Sequence, residues 1–155
     1  MAQERLIPRR PLVWMAKAAT PSTWDPIEGF VKDVSIKGKR GKIDSRGYSD
    51  GGAREEKLDP ENEAMLKLFH SRTWSEFSDL MVTELNSDLP TGFRVKYRGQ
   101  VATSAANPVF EFWFKWTEIG TIGGEVNTLS MADFTVPIEG MVKKSNDGTT
   151  FTDYF

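Results

Sequence analysis

Apolar and polar positions alternate through most of the second half of the chain. Pro108 to Trp116 reads Pro-Val-Phe-Glu-Phe-Trp-Phe-Lys-Trp, and a strand turns successive side chains to opposite faces. Phe110, Phe112, Phe114 and Trp116 then share one side, which predicts a core face. Val109, Glu111, Trp113, Lys115 and Thr117 share the other. That mixture of charge and a large indole suits a surface that another protein partly covers.

The same reading along the chain yields the remaining elements. Residues 1–11 form a polar arm with two prolines, ordered only where a partner holds it. Leu12 to Lys17 is a first strand, and two prolines make Thr20 to Pro26 a turn region. Phe30, Val34 and Ile36 mark the inner side of a strand over 27–37, with a bulge near Val31, and Gly41 to Asp44 is placed to complete a hairpin with it. Residues 45–60 carry three glycines and a run of charged side chains, which predicts a long polar loop; such loops are usually functional.

Ala64 to His70 reads as a strand. Thr73 with Glu76 forms a capping-box pattern ahead of Trp74, Phe77, Leu80, Met81 and Leu85 at helical spacing, with Ser75, Ser78, Asp79 and Thr83 opposite. Pro90 ends that helix. Phe93, Val95 and Tyr97 alternate with Arg94, Lys96 and Arg98 in a half-buried strand, and Gln100 to Ser104 reads as its continuation or return. Val126, Thr128, Ser130, Ala132, Phe134, Val136 and Ile138 fall on one face of a long or bent strand. Asp147-Gly148 signals a tight hairpin turn within a C-terminal hairpin or arm over 143–155. About seven strands and one helix predict an α+β, mainly β, single domain over 1–155, with a β-sandwich or rolled sheet flanked by the helix.

Composition narrows the chemistry. The absence of cysteine excludes disulfides and thiolate metal sites, and a single histidine excludes most zinc and histidine-based triads. No apolar run reaches membrane-spanning length and the N-terminus lacks a signal-peptide core, which predicts a soluble, unexported protein. Net charge is −2, but residues 1–57 hold twelve Lys and Arg against eight Asp and Glu, while 58–155 hold eight against fourteen. Such asymmetry belongs to a nucleic-acid tail or to complementary surfaces. The basic cluster Lys37, Lys39, Arg40, Lys42 and Arg46 has only Tyr48 nearby for stacking, which favours a solvated or subunit-contacting face.

Catalytic signatures are missing. There is no phosphate-cradling loop, nucleophile elbow, HExxH or GxGxxG. His70 has no paired nucleophile in sequence, and Asp44 and Asp50 lack calcium-loop spacing. The chain therefore reads as an assembling part and not as an enzyme, with no cofactor and no metal.

The order of parts resembles the major tail tube proteins of long-tailed, non-contractile bacteriophages: an arm and early hairpin, a long polar loop, one capped helix, then the strand Gly92 to Gly99. Glu125 to Lys144, with Gly140, is similar to the strand pair that ends such proteins. The resemblance implies hexameric rings stacked into a virion tail tube, assembled in the host cytoplasm. The tape-measure protein and double-stranded DNA would pass through its lumen without specific binding. Tail terminator and tail-tip proteins would be further partners, with no membrane. No appended immunoglobulin-like domain is present, which implies a smooth tube. A wall that conducts DNA must not hold phosphates, so Glu125, Asn127, Asp133 and Glu139, with Glu111 and Glu118, are candidate lumen residues. Trp113, Leu129 and Met131 are candidate contacts between subunits; Arg46, Tyr48, Asp50, Arg54, Glu55, Glu56 and Lys57 are candidate contacts between rings. The alternatives are another tail part (terminator, baseplate ring or secretion-system tube), a carbohydrate-binding sandwich stacking sugars on Trp24, Trp113 or Trp116, and a hydrolase using Glu111 and Asp133.

Overall fold

A computed structural model describes residues 8–44, 55–126 and 129–155. The fold is mainly β with one α-helix. In chain order the strands are β1 (Leu12–Ala16), β2 (Trp24–Pro26), β3 (Val31–Lys37), β4 (Arg40–Asp44), β5 (Glu55–Pro60) and β6 (Glu63–Phe69). Helix α1 (Ser78–Leu85) follows, then β7 (Thr91–Lys96), β8 (Val109–Phe114), β9 (Met131–Pro137), β10 (Lys143–Ser145) and β11 (Thr152–Asp153). A six-stranded sheet runs β11-β10-β8-β7-β1-β2, a three-stranded sheet runs β3-β6-β9, and β4 pairs with β5 in a separate ribbon. All of these pairs are antiparallel.

Two of the sheets close over one aromatic core. Val13, Met15, Phe93, Val95, Phe112 and Phe114 from the larger sheet meet Val34, Leu66, Leu68, Ala132, Phe134 and Val136 from the smaller. Trp116 bridges the layers, its ring 5.4 Å from Phe114 and 5.6 Å from Phe134. Each fully buried side chain of this size contributes roughly 1.5–3 kcal/mol. The alternation read for β8 holds on its inner side, where Phe112, Phe114 and Trp116 are buried and Phe110 is half-buried. The bulge near Val31 is present as a register shift between Val31 and Asp33.

The helix differs in detail from the sequence pattern. A short 3₁₀ turn, Trp74–Glu76, precedes α1, and Thr73 makes no side-chain cap. The reciprocal cap is made by Ser71 and Ser78 instead. Ser71 Oγ accepts the Phe77 and Ser78 amides, each at 3.1 Å, and Ser78 Oγ accepts the Ser71 amide at 2.9 Å. Ser78 is therefore buried, while Trp74 stays exposed with its ring stacked on His70. Phe77 and Met81 face the core as expected, and Phe77 stacks on Phe30 at 4.9 Å.

Glu84, also buried, ties the helix to one end of the larger sheet, where β1 ends and β7 begins. Its carboxylate accepts the Ala18 amide at 3.0 Å and the Thr91 hydroxyl, and Thr91 accepts the Trp116 indole N–H at 2.9 Å. The network satisfies every buried donor it contains, which is what a polar group in a core needs.

Three other expectations are corrected. Residues 55–60 are strand β5 and not loop: Ile43 pairs with Glu56 and Lys42 with Lys57. The Gly41 to Asp44 run thus pairs with the far side of the supposed loop and not with β3. Of the long strand expected from 126, the structure describes the part from Met131 on as β9, while Val126 lies 89% exposed outside any strand. The connection before it turns at glycines of positive φ, +73° (Gly120), +98° (Gly123) and +137° (Gly124), where L residues rarely follow. Gln100 to Ser104 is no strand but a turn region, held by Asn107, whose side-chain amide donates to the Arg98 and Val101 carbonyls at 3.0 Å each. Of the N-terminal arm, Arg9 is held by its own chain, in a parallel bridge to Arg98.

The turn after β10 follows its Asp-Gly signal. Asp147 accepts the Thr150 and Thr149 amides at 2.8 Å and the Ser145 hydroxyl, and these bonds hold its carboxyl far below the usual carboxylate range. Tyr97 donates its hydroxyl to the Val34 carbonyl at 2.7 Å, linking the sheets. Burial, aided by Asp33, pushes its phenol up to about 12.

Two outcomes follow from these bonds. Glu84→Ala strands the Ala18 amide and the Thr91 hydroxyl, and should cost about 2–4 kcal/mol in urea unfolding, with Glu84→Gln losing less. Because the raised phenol pKa favours the neutral folded form, Tyr97 contributes stability that is complete below pH 10 and lost as pH rises through about 12. Tyr97→Phe should lower stability by roughly 1–2 kcal/mol at neutral pH. It should also flatten the alkaline loss between these values in pH-dependent melting.

Candidate assembly interface

Three surfaces remain outside the core. The outer face of the three-stranded sheet is set by register. One row carries Lys37, Glu63 and Pro137, the next Ser35, Met65 and Thr135, and the third Asp33, Lys67 and Asp133. Lys37 lies 3.7 Å from Glu63, and Lys67 lies 3.9 Å from Asp133. Lys32, exposed at the bulge beside Asp33, belongs to the same face, so three lysines against three carboxylates leave it neutral. Exposed pairs of this kind add little stability; their effect is to remove any field of one sign. Among the described residues strands β3 and β9 each have one strand neighbour, so both are edge strands of the sheet.

The second surface is the β4–β5 ribbon, which continues β3 and β6 beyond the sandwich. Asn62 makes the break. Its side chain accepts the Lys39 amide at 3.2 Å and donates to the Phe155 carbonyl at 2.9 Å, and its own carbonyl accepts the Ile138 amide. Ile43 and Leu58 stay 52% and 43% exposed on the ribbon. At its root Lys39, Arg40, Lys42 and Lys57 line a cleft of about 640 Å³ together with Tyr154 and Phe155. Of the basic cluster read from sequence, Lys39, Arg40 and Lys42 are thus gathered beside Tyr154 and Phe155, while Lys37 pairs with Glu63 on the sheet. Of the expected ring-stacking residues, Glu56 and Lys57 are exposed on β5. Glu55 lies on the same strand, while Arg46, Tyr48, Asp50 and Arg54 lie outside the described residues.

The third surface is the outer face of the six-stranded sheet, and here the chain covers itself. Gly92 lets two tryptophans meet over β7: a Cβ there would stand 2.8 Å from Trp24 and 2.9 Å from Trp113. The two indoles pack edge to face at 5.6 Å. Arg94 lies between the Trp24 ring (3.9 Å) and the Phe151 ring (4.2 Å), and its Nε donates to Glu111 at 2.9 Å. The Trp113 indole donates to the other Glu111 oxygen, also at 2.9 Å. Trp113 is therefore half-buried against its own chain, and Glu111 is only 6% exposed. Glu111 cannot serve as a water-facing lining carboxylate, because its charge is matched by Arg94 and its oxygens are taken.

The other expected lumen residues separate. Asp133 sits on the outer face of β9, paired with Lys67. Glu139 lies just past β9, 3.5 Å from Lys115. Glu118 and Glu125 are exposed but lie in the connection between β8 and β9 and not on strands. Asn127 lies outside the described residues. Leu129 is 73% exposed in the same connection, and Met131 is half-buried at the start of β9. His70 anchors that connection, donating Nε2–H to the Ile119 carbonyl at 3.0 Å, with Nδ1 3.3 Å from the Ser78 hydroxyl.

Among the described residues no three His, Asp or Glu side chains are grouped to hold a metal, and no helix is long and apolar enough to cross a membrane. The sequence matches no protein-family model and no curated protein at a significant level.

Sequence reasoning missed the Arg94–Glu111–Trp113 cluster, although one signal was present. Arg94 and Glu111 fall on neighbouring strands facing the same way, and opposite charges across strands attract. Gly92→Ala should push the two indoles apart and cost about 1–3 kcal/mol. It should also red-shift tryptophan emission, which chemical denaturation and fluorescence would record together.

Proposed function

We propose that this chain is a tail tube subunit of a long-tailed bacteriophage, forming stacked hexameric rings that conduct the genome. The observation that carries the reading is the three-stranded sheet. Among the described residues it has an edge strand on each side for a neighbour to extend, and it turns outward a face of three lysines and three carboxylates. Six such sheets joined edge to edge close into a barrel, which removes the exposed edges. The barrel's inner wall would carry the near-neutral rows.

DNA carries one negative charge per roughly 1.7 Å of axis, and each phosphate contact adds attraction that must be broken in transit. A neutral wall with two of its three lysines already paired has little to offer a phosphate. Asp133 remains a lining residue in this arrangement, joined by Asp33, Glu63, Lys37 and Lys67. The β4–β5 ribbon projects from the same sheet and is placed to reach a neighbouring subunit with Ile43, Leu58 and its basic root.

Negative-stain microscopy of concentrated protein should show rings or tubes with a central channel; monodisperse single subunits at all concentrations would rule the reading out. Asp133→Lys combined with Thr135→Lys should leave tubes intact, since both side chains are exposed. Particles carrying both changes should eject DNA more slowly, most of all at low salt where screening is weak.

A further inference from the structure

Opposite ends of the six-stranded sheet carry features that complement each other. Strand β7 runs from Thr91, beside the helix, to Lys96, a distance of roughly 16 Å at strand rise. At the Lys96 end the outer face opens into a groove of about 370 Å³, lined among others by Leu12, Trp14, Trp24, Lys96, Thr103 and Val109. Lys96 is only 9% exposed, yet its side chain makes no hydrogen bond and no ion pair among the described residues. Enclosed lysines are almost always paired. Arg94, two residues earlier on the same face, shows the ordinary solution, held by Glu111 and two rings. The ammonium of Lys96 has only the open groove before it.

At the other end, β8 leaves the sheet beside Thr91, through the pairing of Thr91 with Phe114. The connection that follows presents what the groove lacks. Glu118 and Glu125 are exposed and carry no ion pair among the described residues. Ile122 and Val126, 61% and 89% exposed, are apolar side chains without cover. The glycines before Glu125 have positive φ, and Glu125 and Val126 beyond them are exposed.

We propose that Glu125 and Val126 of one copy enter the Lys96 groove of the next, the carboxylate meeting the ammonium and the valine packing against Leu12 and Trp14. This rests on the reading of the chain as a self-assembling subunit and assigns one of its contacts. It moves Glu125 from the lumen to an interface. The two partners lie at different places on the subunit, so the contact is heterologous and propagates into a ring or a stack. The groove walls exclude water from the pair, which strengthens an ionic contact relative to an exposed one.

A charge exchange tests the contact. Lys96→Glu sets carboxylate against carboxylate, and Glu125→Lys sets ammonium against ammonium. Each variant alone should self-associate at least tenfold more weakly in sedimentation and light scattering, with circular dichroism unchanged. Mixing the two should restore assembly, because each mixed contact again pairs opposite charges. Thr103→Glu, on the groove rim, replaces Lys96→Glu if that variant fails to fold, and the same rescue by Glu125→Lys is expected.

Normal assembly of the single variants would overturn the contact while leaving the tube standing. Loss without rescue on mixing would overturn it too, giving the groove to another anionic partner such as an acidic glycan. Rescued pairwise association in a protein that never forms rings or tubes would sustain the contact and remove the tube. A wild-type chain that stays monomeric throughout would remove both.

Discussion

The buried carboxylate of Glu84 is the constraint from which the rest of the molecule hangs. It reaches the turn after β1 through the Ala18 amide, the first residue of β7 through the Thr91 hydroxyl, and the end of β8 through Trp116. A carboxylate without these donors would not stay inside a core, because each unmet lone pair carries a desolvation cost. With them, the helix is held at one end of the larger sheet. The connection bearing Glu118 and Glu125 departs from that end, where Phe114 pairs with Thr91, the opposite end of β7 from Lys96.

Asn62 plays the corresponding part for the smaller sheet. It sits where β3 and β6 stop pairing and β4 and β5 begin, and it is 2% exposed. By holding Lys39, Phe155 and Ile138 at once, it fixes the root of the ribbon to the C-terminus and to β9. The ribbon's direction is thus set inside the fold, while its outer part keeps exposed apolar and basic side chains. A surface held by a rigid root loses less freedom on contact than a loose loop would.

Legibility in the sequence followed periodicity. The inner faces of β3, β6, β7, β8 and the core half of β9 were readable, because period-two alternation survives wherever a face is fully buried. The failures have physical causes. The β5 strand was hidden because Glu55, Glu56, Lys57 and Asp59 lack strand-like hydrophobicity; only Ile43 and Leu58 hint at a ribbon. Thr73 and Glu76 match a capping box as well as any pair can, yet Ser71 takes the role because the 3₁₀ turn shifts the helix start to Ser78. Glu84 stood outside the helix pattern read from sequence, and nothing local announces that Ala18 and Thr91 will face it. Of the expected lining residues, Asp133 lies on the outer face of β9, since its position follows from alternation. Glu111 does not line a water-filled face, since its environment is made by Arg94 and Trp113.

The sign of charge at each end of the molecule restricts how copies can meet. A two-fold symmetric contact places a patch against its own image, so a patch of one sign repels itself. The cleft at the ribbon root is lined by Lys39, Arg40, Lys42 and Lys57, and the groove at the end of β7 holds an unmatched lysine. The connection after β8 carries its own two carboxylates. None of these is self-complementary, whereas basic and acidic regions match when one copy follows another in the same sense. The outer face of the three-stranded sheet, by contrast, is internally balanced, with Lys37 and Lys67 paired within one subunit. Charge thus favours head-to-tail association at the ends and indifference on that face, which is the combination a conduit for a polyanion requires.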